Sequence, residues 1–201
     1  RDNQLKNIWE YRGSVSAISG SVVLITGLGD IGSNFAKRVK LLGAYTIAVK
    51  RTADTKPDFV DELYTLDDFK KILPRADILA LSLPDTPKTR KIINCETLNL
   101  MKSTSIIINV GRGSAIDTEA LCDALEQNQI AGAALDVTDP EPLPADHKLW
   151  TMENAIITPH ISGGYSLRQT HEKIIEICGE NLKRLTQNKQ LNNIVSLKEG
   201  Y

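Results

Sequence analysis

The stretch from position 22 to position 52 constrains the fold of this chain more than any other. It opens with the run VVLI at positions 22–25, which has the length and β-branched composition of a buried strand. The sequence GLGDIG follows at once, and positions 45–49 have the composition of a second strand. Between them an amphipathic pattern that ends at Gly43 predicts a helix. Its apolar face would hold Ile31, Phe35, Ala36, Val39 and Leu42.

A strand, a glycine-rich turn, a helix and a second strand within about 30 residues form the unit that binds dinucleotides. In that unit Gly27 permits the tight turn, Gly29 lets the backbone approach a pyrophosphate, and Gly32 lets the helix pack close to the strand. The motif also occurs as a purely structural turn, but its place between a strand and a helix favours cofactor binding. The cofactor-binding residues predicted here are Gly27, Gly29, Asp30, Ile31 and Gly32.

The composition argues against several classes of protein. The 201 residues include 24 Lys and Arg against 25 Asp and Glu, a net charge of −1, which gives no basis for binding nucleic acid or an anionic membrane. No apolar run approaches the ~18 residues of a membrane span. The three cysteines form no C-x-x-C pair, which favours reduced thiols and a cytoplasmic protein.

Predicted strands and helices alternate along the remainder of the chain. After a loop over 52–65, strands are predicted at 78–82, 105–109, 133–135 and 155–157. This alternation predicts an α/β fold, a doubly wound parallel sheet of the Rossmann type with helices on both faces. We assign residues 1–20 to a connecting helix or linker, 21–186 to a dinucleotide-binding domain and 187–201 to a C-terminal tail.

Helix boundaries follow from capping residues and apolar periodicity. A short helix over 66–73 would be capped by Thr65 and stopped by Pro74, and another is predicted around 96–101. Asp117 would cap a helix that runs through Gln127. A last long helix would begin at Ser166. One side of it holds Ile174, Ile177, Cys178, Leu182 and Leu185.

Three polar side chains that follow predicted strands are candidates for catalysis: Arg112, Glu141 and His160. Taken singly, each also fits a solvated loop residue or a structural histidine. A carboxylate beside a histidine, however, fixes the tautomer and favours the charged imidazole that a general acid requires. An arginine offers a planar fork for a carboxylate and its adjacent carbonyl oxygen. Ligands bind such sheets outside the carboxyl ends of the strands, so the three residues together favour catalysis.

These motifs together resemble the D-isomer-specific 2-hydroxyacid dehydrogenases. The matching blocks cover nearly the whole chain in order and spacing. They are GLGDIG at 27–32, the loop at 83–90, MK at 101–102, NVGRG at 109–113, LDV at 135–137, EPLP at 141–144 and TPH at 158–160. A departure is Thr138, where the family usually has an aromatic or larger apolar residue; it affects local packing and leaves the chemistry intact.

The resemblance implies roles for individual residues. It implies that Arg112, Glu141 and His160 form the catalytic set, that Pro84 and Thr89 lie near the adenosine and phosphates, and that Asp136 lies near the nicotinamide amide. The remaining predicted cofactor contacts are Val110, Gly111, Arg112, His160, Ser162 and Gly163. The resemblance also implies a homodimer formed through this domain.

The implied activity is hydride transfer between a nicotinamide cofactor and a small 2-oxo or D-2-hydroxy acid. Phosphoglycerate dehydrogenase is an alternative within the class, and a nucleotide-sensing, corepressor-like binding protein without turnover is an alternative outside it. Formate dehydrogenases typically pair the histidine with a glutamine, whereas this chain has Glu141. The family's substrate domain has no counterpart here, so we expect this chain to be the cofactor-binding part of a longer protein, inactive alone. The tail at 187–201 would return toward that domain.

The residues after the second strand bear on the choice of cofactor. NAD-specific units carry an acid about 20 residues after the glycine motif, where it accepts hydrogen bonds from the ribose hydroxyls. Here that place is taken by Lys50, followed by Arg51 and Thr52. Two cations and a hydroxyl attract a 2′-phosphate, which an acid repels. The alternative is a solvated basic turn beside bound NAD; we predict that NADP(H) is favoured over NAD(H), with Lys50, Arg51 and Thr52 as contacts.

Overall fold

A computed structural model describes residues 2–10, 15–52, 55–163 and 167–195. Its strands are β1 (Val22–Thr26), β2 (Tyr45–Val49), β3 (Glu62–Tyr64), β4 (Ile78–Leu81), β5 (Ile106–Asn109), β6 (Gly132–Leu135) and β7 (Ala155–Ile157). Its α-helices are α1 (Asp2–Leu5), α2 (Asp30–Leu41), α3 (Phe69–Ile72), α4 (Cys95–Leu98), α5 (Thr118–Glu126) and α6 (Arg168–Thr186). In the described ranges, no helix combines the length and apolar composition needed to cross a bilayer.

The strands form one seven-stranded sheet in the order β3-β2-β1-β4-β5-β6-β7. Every neighbouring pair is parallel, which confirms the predicted α/β doubly wound fold. The order reverses between β1 and β4, because the chain moves outward to β3 before it crosses back. Such a reversal opens a crevice at the carboxyl ends of the strands, where ligands bind in open α/β sheets.

Two apolar clusters cover the two faces of this sheet. On one face Leu24, Ile47 and Leu79 pack with buried residues of α3, α4 and α5. On the other face Val23 and Ile25 pack with the apolar side of α2. Adjacent residues of one strand therefore belong to different clusters, as the period of two in a strand requires. Burial on both faces explains why the strands read as continuous apolar runs.

Strand β3 corrects the predicted loop over 52–65. It pairs in parallel with β2 through the register Ile47↔Glu62 to Val49↔Tyr64. The Glu62 carboxylate accepts hydrogen bonds from the guanidinium of Arg75 at 2.9 and 2.5 Å and from the hydroxyl of Tyr45 at 2.7 Å. These bonds lower its pKa to about 2, with Arg75 as the largest cause. Strand β3 has only three residues and is held by partners elsewhere in the chain, so the local sequence shows no strand pattern.

The helix predicted over 66–73 is broken into three pieces. A 3-10 turn at Leu66–Asp68 leads into α3, and a second 3-10 turn at Leu73–Arg75 carries the chain past Pro74. The predicted cap is wrong, because the side chain of Thr65 makes no capping hydrogen bond. The cap of α5 is confirmed, since the Asp117 carboxylate accepts a hydrogen bond from the Ala120 N–H at 3.4 Å.

Two predicted apolar faces are only partly buried. In α2, Ala36 and Val39 are buried, but Ile31 and Leu42 are 57% and 56% exposed. In α6 no residue is buried, and Ser166, its predicted start, lies outside the described residues. The exposed residues of its predicted apolar side are Ile174, Ile177, Cys178, Leu182 and Leu185. Periodicity shows that a face is apolar; it does not show that a partner for the face is present.

Candidate active site

The glycine loop between β1 and α2 has a separate reason for each of its glycines. Gly27 adopts φ +92°, and a Cβ there would lie 2.5 Å from the carbonyl oxygen of Ser82. A Cβ on Gly32 would lie 1.9 Å from the carbonyl oxygen of Gly27. Apart from its two chain neighbours, no protein atom lies within 4 Å of a Cβ built on Gly29. Gly27 and Gly32 therefore serve packing, while Gly29 leaves open space at the start of α2.

Ser82 was missed as a member of the site, and it supports the loop from β4. Its hydroxyl donates a hydrogen bond to the carbonyl oxygen of Gly27 at 2.7 Å. A Cβ on Gly111, in the loop after β5, would also lie within 3.1 Å of the Ser82 carbonyl carbon. The residue thus joins three loops at the carboxyl edge of the sheet. No sequence motif marks it, because it looks like the last residue of a buried strand.

A cleft of about 1200 Å³ follows this edge from the glycine loop to the loops after β2, β4 and β5. It exceeds the roughly 300–1,000 Å³ of ordinary small-molecule pockets, as an extended ligand requires. Helix α2 begins at the cleft, and no side chain caps its N-terminus, which leaves a site for an anion. The predicted residues that line the cleft are Gly27, Gly29, Ile31, Lys50, Arg51, Thr52, Pro84, Thr89, Val110, Gly111 and Arg112.

Thr89 shapes the wall of the cleft after β4. It is 6% exposed, and its hydroxyl donates a hydrogen bond to the carbonyl oxygen of Pro84 at 2.6 Å. The same hydroxyl accepts a hydrogen bond from the Thr86 N–H at 2.9 Å. The side chain that the resemblance implies as a cofactor contact is therefore occupied within its own loop. What it offers the cleft is the fixed shape of residues 84–89.

Arg112 is exposed at the end of the cleft, on a loop that Asn109 holds. The fully buried Asn109 side chain donates to the carbonyl oxygen of Arg112 at 3.0 Å and accepts from the Gly111 N–H at 3.1 Å. Gly113 lies against the loop after β6, since a Cβ there would be 1.9 Å from the Thr138 carbonyl oxygen. The loop that carries Arg112 therefore packs directly on the loop that carries Glu141.

Glu141 and His160 meet as the sequence predicts. The Nδ1 atom of His160 lies 2.7 Å from Oε1 of Glu141. The two side chains are 46% and 42% exposed respectively, so the pair faces solvent. A carboxylate only accepts hydrogen bonds, so in the neutral ring it holds the imidazole hydrogen on Nδ1 and leaves Nε2 as the acceptor nitrogen.

Asp136 is the buried charge of this region. It is 5% exposed, and its carboxylate accepts hydrogen bonds from the Thr158 hydroxyl at 2.6 Å and the Ser162 hydroxyl at 2.5 Å. The N–H groups of Ile161 and Ser162 donate to it at 3.0 Å each. Burial alone would raise its pKa, but the hydrogen bonds from Ser162, Thr158 and Ile161 outweigh burial and lower the pKa to about 2.

The predicted residues thus fall into two neighbouring groups. The first lines the cleft, and the second comprises Asp136, Glu141, His160 and Ser162 in the loops after β6 and β7. Strands β5 and β7 are separated only by β6, so Arg112 and His160 follow strands about 10 Å apart. Asp30 and Gly32 lie in the first turn of α2 beside the cleft, and Gly163 has open space around its Cβ position.

A parallel sheet, a glycine loop at a helix N-terminus and a long cleft at the strand ends define a nucleotide-binding domain of the Rossmann class. Residues 1–162 match the model of the D-isomer specific 2-hydroxyacid dehydrogenase NAD-binding domain, and the chain belongs to that family.

Individual relatives agree with the family assignment. The glyoxylate reductase of Aeropyrum pernix is 36% identical over 181 residues, covering 89% of this chain and 52% of that protein. The D-3-phosphoglycerate dehydrogenase of Methanocaldococcus jannaschii is 36% identical over 178 residues, covering 89% of this chain and 33% of that protein. The chain therefore spans about half the length of the first relative and a third of the second.

A solved structure shows the same fold at similar identity. It is the crystal structure of a D-isomer specific 2-hydroxyacid dehydrogenase from Xanthobacter autotrophicus Py2, in complex with NADPH and MES. The TM-score is 0.85 at 31% sequence identity, and the alignment covers 100% of this chain and 80% of that chain.

Proposed function

We propose that the complete protein interconverts a small 2-oxo acid and its D-2-hydroxy acid with a nicotinamide cofactor, and that this chain is the cofactor-binding part. The observation that carries the proposal is the 2.7 Å contact between His160 and Glu141, beside the loop of Arg112. A histidine held by a carboxylate and an exposed arginine at the end of a nucleotide cleft are the groups needed to reduce a carbonyl beside a carboxylate.

Each of the three side chains has a distinct task in this proposal. His160 donates a proton from Nε2 to the carbonyl oxygen during reduction, and Glu141 stabilises the charged imidazole and its orientation. The exposed guanidinium of Arg112 holds the substrate carboxylate and polarises the carbonyl. The nicotinamide cofactor, when bound, supplies the hydride. In the oxidation direction His160 accepts the proton from the hydroxyl group.

The cofactor that we propose is NADP(H) in preference to NAD(H). Among the described residues that line the cleft, the only carboxylate is Asp67. The cations that line it are Lys50, Arg51, Lys70, Lys88 and Arg112. Lys70 is neutralised by Glu96 at 2.7 Å, whereas Lys50 is exposed after β2, at the place of the acid in NAD-specific units. A charge-assisted contact with a 2′-phosphate contributes about 1.5–3 kcal/mol, or about ten- to a hundredfold in affinity.

The proposal also covers the domain organisation and the oligomeric state of the complete protein. Residues 1–20 connect to a substrate domain, 21–186 form the dinucleotide-binding domain, and 187–201 return toward the substrate domain. We also propose that the protein is a cytoplasmic homodimer joined through this domain. Exposed apolar residues on the sheet and on α6, such as Ile156 and Leu182, support burial against another surface, and sedimentation of the complete protein measures the oligomeric state.

An assay of the complete protein with several 2-oxo acids tests the proposed reaction. Glyoxylate, hydroxypyruvate and a branched 2-oxo acid would each be offered with NADPH and NADH, and D-3-phosphoglycerate with the oxidised cofactors. Oxidation of 3-phosphoglycerate is the second candidate, because a phosphoglycerate dehydrogenase is among the relatives at 36% identity. If the protein binds nucleotide but turns over none of these substrates, the result would favour a nucleotide-sensing protein over an enzyme.

A further inference from the structure

The loop that carries His160 is organised around a carboxylate that has no further capacity to accept hydrogen bonds. Oδ1 of Asp136 accepts from the Thr158 hydroxyl and the Ile161 N–H, and Oδ2 accepts from the Ser162 hydroxyl and N–H. Two carboxylate oxygens provide about four acceptor positions. The donors come from both sides of His160 along the chain, so the carboxylate ties the two ends of its loop together.

His160 itself has a backbone conformation that needs such support. Its φ is +51°, in the left-handed region that residues other than glycine rarely adopt. Its N–H donates a hydrogen bond to the main-chain carbonyl oxygen of Asp136 at 2.8 Å. A strained conformation persists only where its surroundings determine it. Here one residue does so with both its main chain and its side chain.

We propose that Asp136, Thr158 and Ser162 are positioning residues that hold the His160 imidazole on Glu141. The proposal rests on the proposed function only for the catalytic use of His160; the positioning itself is a property of this chain. The donors to the Asp136 carboxylate are the hydroxyl or N–H groups of Thr158, Ile161 and Ser162. Asp136 determines where the backbone of His160 lies, and the side chain then reaches Oε1 of Glu141 at 2.7 Å.

The two hydroxyl groups distinguish positioning from simple packing. Both Thr158 and Ser162 are exposed residues whose hydroxyl groups turn toward a buried carboxylate. Removing either hydroxyl leaves little apolar surface changed, but it leaves an acceptor of Asp136 without its donor. Replacement of Asp136 by asparagine is more severe, because the amide NH₂ would face donors in place of an acceptor.

Nitrogen NMR of the 201-residue chain labelled with ¹⁵N-histidine tests the inference without turnover. In the parent chain the neutral His160 ring should show the tautomer with hydrogen on Nδ1. Ser162→Ala and Thr158→Val should each move the chemical shifts of the ring nitrogens toward the values of a solvated imidazole, which is a mixture of both tautomers. Ser162→Thr and Thr158→Ser, which keep the hydroxyl group, should restore the parent spectrum.

Matched controls remove hydroxyl groups elsewhere. Ser21→Ala and Thr151→Val each delete a hydroxyl that bonds only a nearby main-chain carbonyl oxygen, and they should leave the His160 signals unchanged. In the complete protein, Thr158→Val should lower kcat about tenfold or more while the dissociation constant for the cofactor stays within about twofold, because the acid is misplaced. Unchanged His160 nitrogen shifts in folded Ser162→Ala and Thr158→Val would overturn the inference. If no His160 variant of the complete protein loses turnover, that result would instead refute the proposed function.

Discussion

Gly32 packs so closely on Gly27 that a Cβ on Gly32 would lie 1.9 Å from the Gly27 carbonyl oxygen. The first turn of α2 and the turn after β1 are therefore in backbone contact. Gly29, between them, has no protein atom other than those of its chain neighbours within 4 Å of its Cβ position. Glycine thus occupies these two positions of one motif for different reasons: Gly32 is required by the fold, and Gly29 leaves space for a ligand.

Alanine at the two positions should separate stability from binding. Gly32→Ala should lower the free energy of unfolding by about 1–3 kcal/mol, because backbone must move to accept the methyl group. Gly29→Ala should cost no more than about 1 kcal/mol, the scale of a helix-cap change, yet weaken NADPH binding at least about tenfold. Chemical denaturation and fluorescence titration measure the two effects. Normal NADPH affinity in Gly29→Ala would contradict this assignment.

Replacement of His160 should affect turnover and leave cofactor binding intact. In the complete protein, His160→Gln should reduce kcat by about 10²–10⁴-fold, the usual contribution of a general acid, with the affinity for NADPH changed little. His147→Gln is a matched control, since His147 lies outside the site, where its Nδ1 accepts a hydrogen bond from the Leu149 N–H at 3.2 Å. Near-normal turnover in His160→Gln would remove histidine from the mechanism.

The basic residues after β2 should set the preference between cofactors. The chain should bind NADPH more tightly than NADH by about ten- to a hundredfold, and Arg51→Ala should reduce that ratio. Higher salt should narrow the ratio, because screening weakens contacts between exposed charges. Arg38→Ala, an exposed arginine on α2 whose guanidinium bonds the Asn34 carbonyl oxygen, should leave the ratio unchanged. Equal or tighter binding of NADH by the parent chain would refute the preference.

Glu62 should stabilise the protein in a way that acid removes. Its folded pKa of about 2 lies below its ordinary value of 4.5, mainly because of Arg75. The stabilisation is therefore complete above about pH 4.5 and is lost as the pH falls toward 2. Glu62→Gln should cost about 2 kcal/mol at pH 7, the scale of charged hydrogen bonds, and the cost should shrink on acidification.

The exposed pair of Glu96 and Lys70 gives the control for Glu62. Its side chains are 68% and 57% exposed, so Glu96→Gln should change stability by at most about 1 kcal/mol. Urea denaturation of both variants at several pH values measures the difference. A cost for Glu62→Gln that stays constant from pH 7 to pH 3 would show that its charge is not the cause.

The 201-residue chain alone should bind NADPH without reducing a 2-oxo acid. The side chains of His160 and Glu141 are nearly half exposed, and catalysis needs a cleft that excludes water and orients the acid. Equilibrium binding and absorbance of NADPH over time distinguish the two properties. Substantial reduction of glyoxylate by this chain would show that it already contains a complete active site.

The sequence by itself determined the central sheet and the glycine loop. These features are local: GLGDIG lies between a β-branched run and an amphipathic helix, and each signal spans only a few residues. The pairing of Glu141 with His160 was also predictable, because parallel strands bring their carboxyl ends to one edge. Strand β3 was not, since Glu62 is held by Arg75 and Tyr45 from other elements.

Only the tertiary structure decided which side chains are free to act. Thr89, a predicted cofactor contact, gives its hydroxyl to the Pro84 carbonyl oxygen, and Asp136 has four donors within its own region. Ser82 joins the glycine loop to β4 with no motif to announce it. The physical reason is that a hydrogen bond depends on the position of two groups in space, whereas a sequence pattern records only their separation along the chain.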